Sequence, residues 1–219
     1  MFRIKKARFL TSCALGSPLP ALGSAPQIAM VGKSNVGKSS LINALANNGK
    51  LARTSSEPGK TRLVNFFEIN GGEFYLVDLP GYGFAKAPKS EQLKWGELME
   101  NYLRSGQVNH LFLLLDSRHE PTAADRQMAV WMQYYNIPYT VLATKADKLS
   151  RAQKRAAAVA VAKAVGSMSP AIMVSAKEKS GLEEVVARIE QIVCDTALER
   201  PAPKEGAAEE AWENSAGGE

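Results

Sequence analysis

The segment Gly32-Lys33-Ser34-Asn35-Val36-Gly37-Lys38-Ser39 constrains this chain more than any other. It matches the pattern G-x-x-x-x-G-K-[ST], in which glycines let successive backbone N–H groups turn toward phosphate oxygens. Residues 27–31 before it form a short apolar run of buried-strand type, and Leu41, Ile42 and Leu45 after it keep helical spacing. Strand, loop and helix in that order make an anion site at a helix N-terminus. Such a match arises by chance in 219 residues about one time in a hundred. Lys38 offers a point charge to β- and γ-phosphates, and the Ser39 hydroxyl is a ligand for Mg²⁺. Gly32 to Gly37 and Ser40 are expected to complete the phosphate contacts.

Beyond the loop, strand and helix patterns alternate. Residues 63–69 and 73–79 read as strands around Asn70-Gly71-Gly72, a hairpin signal. Trp95, Leu98, Met99, Tyr102 and Leu103 share one helical face. Residues 110–116 are apolar on both faces, as in a parallel sheet covered by helices. Further helices are expected around Met128, Trp131, Met132 and Tyr135 (entered through Pro121-Thr122), over 151–165, and around Leu182, Val185, Val186, Ile189 and Val193. Residues 139–144 and 171–174 read as strands. The expectation is an α/β fold of three layers, with about six mostly parallel strands and one antiparallel hairpin. Residues 25–199 form the domain, after a basic, Pro- and Gly-dotted arm over 1–24. Residues 200–219 read as a disordered acidic tail.

Composition narrows the partners. The chain is 45% apolar, and no apolar run approaches a membrane-spanning length. The stretch between Arg8 and Cys13 is too short for a secretory signal. Two distant cysteines, Cys13 and Cys194, make no disulfide framework, which fits a reducing cytoplasm. From residue 200 on, Arg200 and Lys204 stand against Glu205, Glu209, Glu210, Glu213 and Glu219, so that segment carries −3 and the rest +8 of the formal +5. A basic body suits a polyanion such as RNA, although charge alone decides nothing. The basic residues that could face RNA are Arg3, Lys5, Lys6, Arg8, Lys86, Lys89, Lys94 and Arg104. His110 and His119 have no neighbours at metal spacing, and Trp95 and Trp131 read as core.

Three more segments select the nucleotide. Asp78-Leu79-Pro80-Gly81 follows a strand pattern; an acid there holds Mg²⁺ through water, and the Gly81 N–H is a donor for a γ-phosphate. Alone, Asp-x-Pro-Gly is also a common turn. Thr144-Lys145-Ala146-Asp147 closes another strand pattern. The Asp147 carboxylate can accept from guanine N1–H and N2–H₂, a donor pair that adenine lacks. The Lys145 stem lies along the base. Ser175-Ala176-Lys177 ends the last strand, where backbone N–H groups could meet guanine O6.

In this order, the four segments resemble the translation-factor class of GTP-binding, Ras-like P-loop domains. Thr61, beside Gly59 and Lys60, then matches the switch threonine that meets Mg²⁺ and γ-phosphate; Thr54, Ser55 and Ser56 are competitors. GKSNVGKSSLINAL, PGKTRLVNFF, DLPGYGFAK, TKADK and SAKEKSGLEE together resemble the bacterial EngB (YihA/YsxC) family over roughly residues 25–195. That resemblance implies a Mg²⁺-dependent GTPase in assembly of the large ribosomal subunit, with rRNA as partner and a link to septation. A cytoplasmic monomer is expected, with no membrane or DNA partner. Resemblance to K⁺-stimulated GTPases gives Asn35 a second reading, as a K⁺ ligand rather than a turn residue alone. Alternatives are a guanine-nucleotide sensor with little turnover, a division-site scaffold and an ATP-using kinase; Asp147 argues against the last.

Three positions depart from related patterns. Thr144 stands where many GTPases carry Asn, and the shorter side chain is expected to weaken ties to the base and to the phosphate loop. Arg62 stands where the family pattern has Gln. Tyr82 stands where many Ras-like proteins carry a water-orienting Gln, so slow intrinsic hydrolysis is expected, raised by K⁺, by an ordered switch or by the partner.

Overall fold

The computed structural model describes residues 2–52, 63–83 and 89–198. Gly59, Lys60, Thr61, Arg62, Lys86 and the acidic tail from residue 200 lie outside the described residues. Seven strands form one sheet: β1 (Ala7–Cys13), β2 (Gln27–Gly32), β3 (Val64–Ile69), β4 (Phe74–Asp78), β5 (Val108–Asp116), β6 (Tyr139–Thr144) and β7 (Ile172–Met173). Their order is β1-β3-β4-β2-β5-β6-β7. From β4 to β7 every neighbouring pair is parallel; β3 is antiparallel to both β4 and β1. The helices are α1 (Lys38–Leu45), α2 (Lys89–Arg104), α3 (Ala123–Tyr134), α4 (Arg151–Ala164) and α5 (Leu182–Leu198).

Period-two alternation sorts the strand side chains into two cores. Ala29, Val31, Leu111, Leu113 and Leu115 face Met99, Tyr102, Met128, Met132 and Val161 on α2, α3 and α4. Ile28, Met30, Phe112 and Leu114 face Leu41, Ile42, Val185 and Ile189 on α1 and α5. Central strands buried on both sides need the continuous apolar runs that β2 and β5 carry. The three-layer α/β expectation therefore holds, with one strand more than expected.

That seventh strand lies in the basic arm. Residues Ala7 to Cys13 pair with Ile69 to Val64, with an irregularity between Phe9 and Thr11. Asn70, the first residue of the hairpin turn, clamps the arm. Its Oδ1 accepts from the N–H groups of Lys5 and Lys6 at 2.8 and 3.2 Å, and its own N–H donates to the Lys6 carbonyl at 2.8 Å. Asn70, Gly71 and Gly72 all have positive φ, which these residues tolerate. Arg8 forms a double hydrogen bond with Glu68 across the strands, so its charge is already matched. Cys13, the end of β1, is buried.

Candidate nucleotide site

A parallel sheet brings its strand ends to one edge, and loops leaving that edge build the site. Here β2 ends at Gly32, β4 at Asp78, β5 at Asp116 and β6 at Thr144, while Ser175 follows β7. The structure thus collects the phosphate-loop, Asp78–Gly81, Thr144–Asp147 and Ser175–Lys177 segments on one edge.

The phosphate loop is shaped by backbone constraints. A Cβ on Gly32 would stand 2.6 Å from the Leu114 carbonyl oxygen, so any side chain would push β2 from β5. Asn35 (φ 62°) and Gly37 (φ 113°) take left-handed conformations that swing the chain into α1. The turn is closed by Val36 N–H to Lys33 O at 3.1 Å, and α1 starts with Leu41 N–H to Gly37 O at 2.9 Å. Asn35 is exposed and Val36 buried.

Inside this loop Lys38 is 9% exposed, and its Nζ donates to the Gly32 carbonyl at 3.3 Å. Burial pushes its pKa down; the Asp78 carboxylate pulls the other way. Asp78 is 4% exposed, and burial pushes its pKa up against the opposing pull of Lys38 and Ser39. Ser39 Oγ donates to Asp78 Oδ2 at 3.2 Å, while Oδ1 has no protein partner. A buried carboxylate oxygen left unpaired asks for a ligand. Hydroxyl, carboxylate and water oxygens are the donors a hard divalent cation takes, so the set fits Mg²⁺. Among the described residues no group of three or more His, Cys, Asp or Glu could hold a metal by itself. A cation here would rely on phosphate oxygens and water, as Mg²⁺ commonly does.

Leu79, Pro80 and Gly81 continue from β4 beneath the loop. A Cβ on Gly81 would meet Ser34 Oγ at 2.8 Å and Ser34 N at 2.9 Å, so only glycine fits. Tyr82 then pairs with the loop: its N–H donates to Gly32 O at 3.3 Å, and its carbonyl accepts from Ser34 N–H at 3.1 Å. Its side chain turns inward, where the hydroxyl donates to Asp125 at 2.7 Å.

At the opposite end Ser175 Oγ donates to Asp147 Oδ1 at 2.8 Å. That hydrogen bond, against burial, holds the Asp147 carboxyl below its ordinary range. Ala146 N–H donates to Val174 O at 3.1 Å, joining the turn to β7. Lys145 takes a left-handed conformation (φ 59°). Its ammonium is 2.9 Å from Asp116 Oδ2, which Arg118 also holds at 2.7 Å. Ala176 is half-buried and Lys177 exposed.

Thr144, whose ties to the base and the phosphate loop were expected to be weak, keeps one to the loop: its hydroxyl lies 2.8 Å from Val36 O and 3.1 Å from Leu115 O. The backbones approach closely enough that a short hydroxyl reaches. Asn43 was not foreseen at all. From α1 its side chain donates to Gly49 O and Ala52 O and accepts from Ala52 N–H at 2.7 Å, fixing residues 49–52 against the helix. A buried Asn among Leu41, Ile42 and Leu45 was the available signal.

A strand–loop–helix anion site flanked by an acid at the next strand end defines a P-loop nucleotide-binding domain. The family model matching residues 27–145, described as 50S ribosome-binding GTPase, covers more than half of the chain. A relative from Desulforamulus reducens, "Probable GTP-binding protein EngB", is 44% identical over 194 residues, or 87% of this chain and 94% of its own. The protein of the same name from Clostridioides difficile is 48% identical over 186 residues, 84% of this chain and 91% of its own. The chain belongs to the EngB family of GTP-binding proteins and is a GTPase. Solved structures agree on the fold. An engB crystal structure matches with a TM-score of 0.64 at 24% identity, over 77% of this chain and 99% of that one. Era in complex with MgGDPNP and nucleotides 1506–1542 of 16S ribosomal RNA matches with a TM-score of 0.61 at 23% identity, over 77% of this chain and 56% of that one.

Proposed function

We propose that this GTPase is a Mg²⁺-dependent switch in assembly of the large ribosomal subunit, hydrolysing GTP to GDP and phosphate in the cytoplasm. The observation that carries the chemistry is the unpartnered, buried Oδ1 of Asp78 beside Lys38 and Ser39. Asp78 and Ser39 would hold Mg²⁺ there, and the ion would neutralise charge developing on the β- and γ-phosphate oxygens. Lys38 places its ammonium on the same oxygens, and the loop N–H groups from Gly37 to Ser40 add the helix-terminus field. Gly81 donates its N–H to the γ-phosphate, and Thr61 senses the same group. Asp147 reads the guanine N1–H and N2–H₂ edge, Ser175 to Lys177 meet O6, and the Lys145 stem covers one face. Tyr82 faces the interior and does not orient water, which favours slow intrinsic hydrolysis. Asn35 as a K⁺ ligand and the ribosomal partner are the two sources of acceleration this reading allows.

Two findings support a ribosomal partner. The family is described as ribosome-binding, and Era, of the same fold, was solved with a segment of rRNA. The +8 carried by residues 1–199 suits an RNA surface. A link to septation would then run through ribosome supply. The test is sedimentation with isolated large and small subunits, the protein carrying GDP or a non-hydrolysable GTP analogue, at several KCl concentrations. Selective association with the large subunit, stronger with the analogue, is expected. No association in either state, with guanine binding intact, overturns the ribosomal reading.

A further inference from the structure

Gly81 is held on both sides by side chains that the phosphate chemistry does not use. Upstream, Trp95 of α2 donates its indole N–H to the Pro80 carbonyl at 3.2 Å. Downstream, Tyr82 is 4% exposed, and its hydroxyl donates to Asp125 Oδ1 at 2.7 Å. Burial and the facing carboxylate push the Tyr82 hydroxyl pKa far up, so it stays a donor at any working pH. Asp125 is 3% exposed and is itself fixed, since Thr122 N–H and Oγ1 each donate to its Oδ2 at 2.7 Å. That capping box roots the carboxylate in α3, whose Met128, Ala129 and Met132 lie in the core. Lys33, inside the phosphate loop, brings its ammonium to 3.9 Å from the same Oδ2.

Asp125 thus touches both walls of the expected γ-phosphate site from behind, the loop through Lys33 and the Gly81 segment through Tyr82. Ring packing extends the brace. Tyr82 meets Trp95 edge-on with centroids 6.0 Å apart, and Trp95 stacks on Trp131 of α3 at 6.3 Å. Two anchors flanking one glycine set the direction of its N–H, and a buried hydrogen bond to a charged group is the stiffest of them.

We infer that Tyr82 and Asp125 are a positioning pair that sets the Gly81 N–H against the phosphate loop and so determines how strongly the site prefers a nucleoside triphosphate over a diphosphate. The inference rests on the γ-phosphate role of Gly81 proposed above. Tyr82→Phe keeps the ring packing and removes only the hydroxyl. With Mg²⁺ present, calorimetric titration of the full chain should show GDP affinity within about twofold of the unchanged protein, and affinity for a non-hydrolysable GTP analogue about tenfold lower. Asp125→Asn, whose single oxygen can accept from Tyr82 or from Thr122 but not from both, should shift the ratio in the same direction. A purely structural Tyr82 would lower both affinities together, or melting temperature alone; either result overturns the pair. Gly81→Ala, whose Cβ would press on Ser34 and so displace the Gly81 N–H from the loop, is the control. If it leaves the triphosphate-to-diphosphate ratio unchanged, the γ-phosphate role is wrong and the inference falls with it. If it collapses the ratio while Tyr82→Phe does not, the pair alone is overturned.

Discussion

The phosphate end and the base end of the site lie on the same sheet edge, yet they are built on opposite principles. At the phosphate end, burial disfavours the charged form of both Lys38 and Asp78, and one Asp78 oxygen has no partner. At the base end, Asp147 is held below its ordinary range by Ser175. Burial pushes the Asp116 carboxyl up, but hydrogen bonds from Arg118 and Lys145 outweigh it and hold the group well below the carboxylate range. Thr144 meanwhile bonds to the phosphate loop itself. One end is electrostatically incomplete without a ligand; the other is satisfied by the protein. Pre-formed hydrogen-bonding groups are what base selection needs, because rejection of a wrong base comes from leaving such groups unpaired. Unsatisfied charge is what a switch needs, because the ligand then changes the energy of the surrounding segments.

The largest test of this contrast is Asp147→Asn. Asn keeps an oxygen that accepts from Ser175, so the turn should survive. Its amide donates where the carboxylate accepted, matching xanthine rather than guanine. The guanine-to-xanthine affinity ratio should fall by a factor on the order of 10⁴, measured by competition between GDP and xanthosine diphosphate. Equal loss of both nucleotides would mean that Asp147 maintains the turn and does not read the base. Next in size is Lys38→Ala, which removes the buried cation from the incomplete end. GDP affinity should drop by about 3 kcal/mol, followed calorimetrically. In the ligand-free protein the same change leaves the buried Asp78 without its cation, so it should also cost stability. An unchanged GDP affinity would show that Lys38 does not hold phosphate.

The two ends were unequally legible in the sequence. The phosphate loop could be read because its constraints are local: glycines at fixed spacing, a lysine and a hydroxyl, all within eight residues. The hairpin was legible for the same reason, through Asn70-Gly71-Gly72. What escaped depends on partners distant in sequence. β1 carries Arg8 on an edge strand, where charge is compatible with pairing, and its partner Glu68 is 60 residues away. A basic stretch without strict alternation therefore read as an arm. Asp125 showed only its local half: Thr122-x-x-Asp125 before an apolar helix is a capping signal, whereas its bond to Tyr82 spans 43 residues. At Thr144 the side-chain length was legible, whereas the backbone approach that lets it reach Val36 O was not. Residue type predicts chemistry well; the distance between two strand ends needs the packed sheet.

The smallest expected effect probes the self-contained end through pH. Asp116 has a folded-state pKa below its unfolded value. Its contribution to stability is therefore fully present above the unfolded pKa and is lost as pH falls toward the folded one. Asp116→Asn removes that contribution. At pH 7 the variant should be less stable by about 0.5–1 kcal/mol, a figure already reduced for the solvent around Arg118. Below about pH 4, where an unpaired Asp protonates, the gap between the two proteins should narrow. Thermal melting at pH 7, 5 and 3 reads it directly. Because Lys145 and Arg118 meet Asp116 in the protein alone, the difference should be the same with and without GDP. A difference that appeared only with nucleotide bound would mean that the ligand assembles the base end too, and the contrast between the two ends would disappear.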